Sequence, residues 1–108
     1  MEDAEIVRLY WDRDEQAITE SDTKYGPLCR RIALRVLESP EDGEECVSDT
    51  WLRAWNAMPP QRPTRLGAFL GRLTRNLALD RWRRDHAEKR YGGETALALE
   101  ELGEIVSG

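Results

Sequence analysis

The sequence predicts an all-α domain, a compact bundle of three to four helices with an ordered Pro-rich loop between the last two. Three observations predict it. Strand signals are nearly absent, with no sustained apolar–polar alternation and few β-branched runs. Apolar residues instead recur at helical spacing along most of the chain. Proline, glycine and serine fall where such helices would begin or end.

The first helix is expected over residues 3–11, carrying Ile6, Leu9 and Tyr10. The second is expected over residues 14–38, where Ile18, Tyr25, Leu28, Ile32, Val36 and Leu37 recur at helical spacing. Gly26-Pro27 interrupts this segment and predicts a kink or a one-turn break. The third helix has a clear start: Ser39 can cap it, Pro40 suits its first position, and Glu41 and Asp42 favour the positive end of its dipole. It should run to Ala57, because Pro59-Pro60 forbids continuation. Residues 56–64, with three prolines, Gln61 and Arg62, must form an ordered non-helical loop. The fourth helix should begin near Arg65 and end near Lys89, before Gly92-Gly93. Beyond it, Leu97, Leu99, Leu102, Ile105 and Val106 could form a short amphipathic helix. The chain stops on Ser107-Gly108 without a terminal cap, as an excised fragment would. One shared core is expected to hold Trp51, Trp55, Phe69, Leu73, Leu77, Ile32 and Val36.

A chain of 108 residues supports one domain with a modest core. Hydrophobic residues make up 40% and charged residues 34%, and no stretch approaches the roughly 20 apolar residues of a membrane span. The first residues are acidic where a secretory signal would be basic and then apolar, so a cytoplasmic location is expected. Cys29 and Cys46 sit inside apolar helical patterns, which favours burial as reduced thiols over a disulfide. His86 lies in an arginine-rich stretch without a cysteine or carboxylate cluster, so it reads as solvent-exposed and no metal site is expected. No nucleophile–base pair or phosphate-cradling glycine loop suggests an enzyme, and no cofactor is expected.

The net charge of −5 hides a segregation. Residues 1–49 carry a net −8, residues 50–93 a net +7, and residues 94–108 a net −4. A basic block between acidic ones fits two partners, an anion for the middle and a cationic surface for the front, although solvated helix faces would have the same composition.

Two helix faces sharpen this. On the third helix, Val47, Trp51, Ala54, Trp55 and Met58 form an apolar stripe. Opposite lie Glu41, Glu45, Ser48, Asp49 and Leu52, and a leucine set among acids marks either a protein contact or a stray apolar residue on a solvated face. On the fourth, Leu66, Phe69, Leu70, Leu73 and Leu77 form the expected inner face. Arg72, Arg75, Leu79, Trp82 and Arg83 are expected outside, with Asn76 at the margin, and Arg81, Arg84, Lys89 and Arg90 extend the basic surface. Guanidiniums attract phosphates, flat side chains stack on unpaired bases, and an asparagine can read a base edge. Trp82 could equally pack inward. Gln61, Arg62 and Arg65, in or beside the stiff loop, could wall a pocket for an extruded base.

Several stretches resemble region 2 of the extracytoplasmic-function (ECF) sigma factors of the sigma-70 family. Residues 40–55, PEDGEECVSDTWLRAW, resemble that family's polymerase-binding helix. Residues 69–84, FLGRLTRNLALDRWRR, resemble its promoter-reading helix, with TRNLALD the most specific piece, and Tyr25-Gly26-Pro27 also fits. The likeness covers about residues 1–90.

The resemblance implies a region 2 domain over residues 1–91, with residues 92–108 starting a linker toward a C-terminal helix-turn-helix domain that the chain lacks. It implies that Glu41, Glu45, Ser48, Asp49 and Leu52 dock on the coiled coil of the polymerase beta-prime subunit, Glu45 and Asp49 being the closest matches. The loop of residues 56–65, with Gln61, Arg62 and Arg65, and the start of the fourth helix would capture flipped non-template bases of the −10 promoter element. Arg72, Arg75, Arg83 and Arg84 would hold phosphates and help to melt the duplex. An anti-sigma protein is left open as a further partner. Ser48 stands where the family usually has glutamine, and Phe69 and Thr74 replace a common tryptophan and alanine. Two rivals differ in class. A double-stranded-DNA reader would need a turn of about 3–4 residues between the last helices, shorter than this loop. A helical protein-interaction adaptor would leave the basic, asparagine-bearing face without a partner.

Overall fold

The computed structural model describes residues 1–87, which form four helices: α1 (Asp3–Trp11), α2 (Gln16–Val36), α3 (Pro40–Ala57) and α4 (Leu66–His86). Lys89 and Arg90, the linker of residues 92–108 and the amphipathic segment expected at 97–106 lie outside the described residues.

A tight corner ends α1. The Asp14 N–H donates to the Leu9 carbonyl and the Arg13 N–H to the Tyr10 carbonyl, the paired bonds of a Schellman motif. Arg13 occupies its left-handed position at φ 58°, where glycine is usual and any other residue costs about 1 kcal/mol. The Asp14 carboxylate then accepts the Gln16 N–H at 2.9 Å and opens α2.

Residues 16–36 form one helix through Pro27, without the break that Gly26-Pro27 suggests. Pro27 is exposed, and Ser21, Gly26, Cys29 and Ala33 are buried on both sides of it. Packing on either side therefore outweighs the one backbone hydrogen bond that proline removes. Asp3 pins α1 to α2, accepting hydrogen bonds at 2.8 Å from Lys24 and from the Tyr25 hydroxyl. Deeper in the same contact, the hydroxyls of Tyr10 and Ser21 meet at 2.7 Å.

The start of α3 is as the sequence predicts, with Pro40 in the first turn and the Ser39 hydroxyl accepting the Asp42 N–H at 3.3 Å. α4 packs against both α2 and α3, which also pack on each other. A Cβ on Gly67 would sit 2.7 Å from the Tyr25 ring, and one on Gly71 would sit 3.2 Å from Ile32, so both glycines permit close approach to α2. Toward α3, the buried hydroxyls of Thr50 and Thr74 meet at 2.8 Å. Each also contacts a carbonyl four residues back, so both buried hydroxyls have partners within the packed helices.

The core gathers Ile6, Tyr10, Cys29, Val47, Met58, Leu66 and Leu70, with Val36 and Trp51 at its edge. Trp55, Phe69, Leu73 and Leu77, expected inside, are only partly buried against it, and Ile32 is half-buried. The inner face of α4 runs instead through Leu66, Leu70, Gly71, Thr74, Ala78 and Leu79. Small residues, rather than the largest apolar ones, let α2 and α3 approach, which rotates the helix relative to its leucine arc. Leu79, expected to face outward, is 4% exposed.

Candidate nucleic-acid interface

The rotation of α4 decides which of its side chains reach solvent. Arg65, Ala68, Arg72, Asn76, Asp80, Arg83 and Arg84 are exposed and recur about every four residues, forming one stripe along the helix. Asn76, expected at the margin of the basic face, stands at its middle beside Arg72. Arg75, expected outside, is half-buried, and its Nε finds no hydrogen-bond partner among the described residues. Asp80 interrupts the stripe and lies 3.4 Å from Arg83, in an exposed ion pair worth about 1 kcal/mol or less.

Trp82 belongs to the interior side. It packs against the core, and its ring stacks on His86 with centroids 4.1 Å apart. The His86 Nδ1 lies 2.8 Å from the Trp82 carbonyl, so the histidine expected in solvent is half-buried and engaged. Neither ring lies on the exposed stripe.

The loop between α3 and α4 presents Gln61, Arg62, Thr64 and Arg65 to solvent. Pro59, Pro60 and Pro63 have no N–H, so the loop has few donors with which to hold itself. Its Gln61 N–H donates to the Ala57 carbonyl at 2.9 Å. Further support comes from the α1–α2 corner. The Arg13 guanidinium donates to the carbonyls of Trp55 at 2.9 Å and Met58 at 2.7 Å, and lies 3.9 Å above the Trp55 ring. Trp11 Nε1 donates to the Gln61 carbonyl at 2.9 Å, and the Arg62 guanidinium lies 4.3 Å above the Trp11 ring. These corner residues were not among the expected site residues. The one local clue is a Pro-rich loop whose carbonyls need donors from elsewhere.

The acidic stripe of α3 is exposed throughout: Glu41, Glu45, Ser48, Asp49 and Leu52, the leucine at 58%. Its own backbone N–H and the Ser39 hydroxyl hold the Glu41 carboxyl below the usual range. The stripe is not wholly free. Arg81, expected on the basic surface, reaches across from α4 to Asp42 at 2.7 Å and Glu45 at 2.6 Å. With Glu44, Glu45, Ser48 and Asp49 it lines a shallow hollow where the two charged surfaces meet.

Both cysteines are unpaired and buried. Burial, and then the neighbouring Asp49 charge, push the Cys46 thiol up to about 11, so it stays protonated at neutral pH. Among the described residues no three His, Cys, Asp or Glu side chains form a metal site. No helix among them is long and apolar enough to cross a membrane.

A family model described as Sigma-70 region 2 matches residues 23–88, more than half of the chain. The chain belongs to the Sigma-70 region 2 family. That membership gives the domain a sigma-factor role in RNA polymerase binding and promoter recognition, with the polymerase core and promoter DNA as its partners. Compared with curated proteins and with solved structures, the chain gives no match. The region 2 match takes in most of α2, all of α3, the loop and α4. It leaves out α1 and the corner at Arg13, although that corner holds the loop.

Proposed function

We propose that this is the region 2 domain of an ECF-type sigma factor that docks on polymerase through α3 and grips the melted −10 element through α4 and the preceding loop. The observation that carries this is the exposed stripe Arg65–Arg72–Asn76–Arg83/Arg84, continuous in sequence with Gln61 and Arg62 on a loop held from outside. Arginines two to three helical turns apart on one face can meet separate phosphates of a backbone, and the asparagine among them supplies a donor and an acceptor for one base edge. Arg72, Arg83 and Arg84 act on phosphates. Arg75, half-buried, is assigned to a phosphate as well. Gln61, Arg62 and Arg65 face the flipped bases, while Glu41, Glu45, Ser48, Asp49 and Leu52 face the beta-prime coiled coil.

On this reading the domain catalyses nothing. Binding energy spent on single strands shifts the duplex toward its open form, and the polymerase performs the chemistry. The test is an electrophoretic shift at low salt with single- and double-stranded promoter oligonucleotides, with and without core polymerase. Preference for the single strand, strengthened by core enzyme, is expected. Core binding without any contribution to strand binding would favour the helical adaptor.

A further inference from the structure

The corner between α1 and α2 lies outside the segment matched by the family, yet side chains from it meet three carbonyls of the loop region. Arg13 donates to Trp55 and Met58, and Trp11 donates to Gln61. The same two residues also face side chains of the α3 end and the loop, Arg13 over the Trp55 ring and Trp11 beneath Arg62. With prolines at 59, 60 and 63, three loop residues have no N–H to donate, and the Gln61 N–H to the Ala57 carbonyl supplies only part of the hold.

The identity of residue 13 adds a second observation. It sits at the left-handed position of a Schellman motif, where glycine would relieve backbone strain. An arginine there keeps the strain and gains the guanidinium. Its two hydrogen bonds end on backbone carbonyls of the α3 terminus and the loop, so what it fixes is loop shape.

We infer that Arg13 and Trp11 are positioning residues for promoter readout: they hold the loop in the shape that accepts the flipped base and set Arg62 in place beside it. The inference rests on the strand-gripping reading above and adds to it a specificity determinant outside the region 2 match. Pre-ordering the loop lets the correct base bind without first having to organise it. Losing that order should reduce discrimination between strands more than overall affinity.

The test starts from a single-stranded oligonucleotide pool randomised over the −10 bases and selected on the full chain bound to core polymerase. The best-enriched strand and its scrambled counterpart are then titrated against wild type, Arg13→Gly and Trp11→Phe. Arg13→Gly relieves the backbone while removing the guanidinium; a purely structural role would change thermal stability and leave discrimination intact. The expected result is a fall of roughly ten-fold in the selected-to-scrambled affinity ratio, about 1.4 kcal/mol, with scrambled-strand affinity nearly unchanged. Trp11→Phe keeps a ring beneath Arg62 but removes the bond to Gln61, and should lower the ratio less. It also provides a readout if Arg13→Gly folds poorly. A wild-type ratio in both variants would overturn the inference. An equal loss on both strands would make Arg13 a simple phosphate contact and also overturn it. A wild type that selects no strand at all would instead remove the strand-gripping reading itself.

Discussion

Reversing Glu45 and Asp49 to arginine separates docking from folding, and the structure sets the size of both effects. Glu45 pairs with Arg81 at 2.6 Å, but the two side chains are 63% and 26% exposed, so the pair is strongly screened. Its loss should cost about 1 kcal/mol, because Asp42 still holds Arg81 at 2.7 Å. In a domain of this size that lowers the melting temperature by about 4–8 °C. Docking should suffer more. An exposed charge pair at about 4 Å is worth about 1 kcal/mol in water, and reversal turns each attraction into a repulsion of similar size. Two positions therefore give about 4 kcal/mol, close to a thousand-fold in Kd. The assay is an anisotropy titration of labelled domain with core polymerase at two salt concentrations, beside a thermal melt followed by circular dichroism. Higher salt should narrow the gap between variant and wild type. Arg81→Ala is the control, since it breaks the same intramolecular pair but leaves the stripe acidic. It should melt earlier and bind polymerase at least as well as wild type. A double reversal that binds within three-fold of wild type would remove this face from the docking mechanism.

Three further outcomes test the fold beneath the site. Leu70→Ala, at a fully buried position, should cost about 2–5 kcal/mol by thermal melting, and Leu73→Ala, half-buried, clearly less; equal costs would contradict the rotation of α4. Burial alone would raise the Asp3 carboxyl, but hydrogen bonds from Lys24 and Tyr25 outweigh it and hold the group below its ordinary 3.8. A depressed folded-state value means that Asp3 stabilises the fold above that ordinary value and loses the contribution as pH falls through the folded value. The stability gap between wild type and Asp3→Asn should therefore be flat near neutrality and close in acid; a gap that widened in acid would contradict the assignment. Ser39→Ala should cost about 1 kcal/mol through the lost cap, read by the same melt.

What the sequence revealed and what it hid divide along the range of the interactions. Ser39-Pro40-Glu41-Asp42 announces the start of α3 because capping is chemistry within four residues, and Pro59-Pro60 ends the helix for an equally local reason. The acidic stripe was legible because every residue of it lies on one helix face. The rotation of α4 was not, since it depends on Gly67 meeting Tyr25, Gly71 meeting Ile32 and Thr74 meeting Thr50, contacts made by small residues that a hydrophobic wheel ignores. For the same reason Asn76 was displaced to the margin and Leu79 to the outside. Pro27 reads as a breaker in isolation, but buried neighbours on both sides hold α2 together. Arg81 looked like one more arginine of a basic run, and only the approach of α3 turns it toward Asp42 and Glu45. Arg13 and Trp11 were hidden most deeply, because their partners lie 42 to 50 residues away.

The claim that α4 both grips and reads is tested most directly by a salt-dependent titration of Arg84→Ala and Asn76→Ala, each bound to core polymerase. Both side chains are exposed on the same helix, so a difference between them reflects role rather than access. Arg84→Ala should weaken every single-stranded oligonucleotide alike and lower the slope of log affinity against log salt by about 0.7. Asn76→Ala should cost about 1–3 kcal/mol on the selected −10 strand and almost nothing on its scrambled counterpart, with the slope unchanged. If Asn76→Ala weakened all strands equally, or if Arg84→Ala acted on the selected strand alone, the assigned division between gripping and reading would be contradicted.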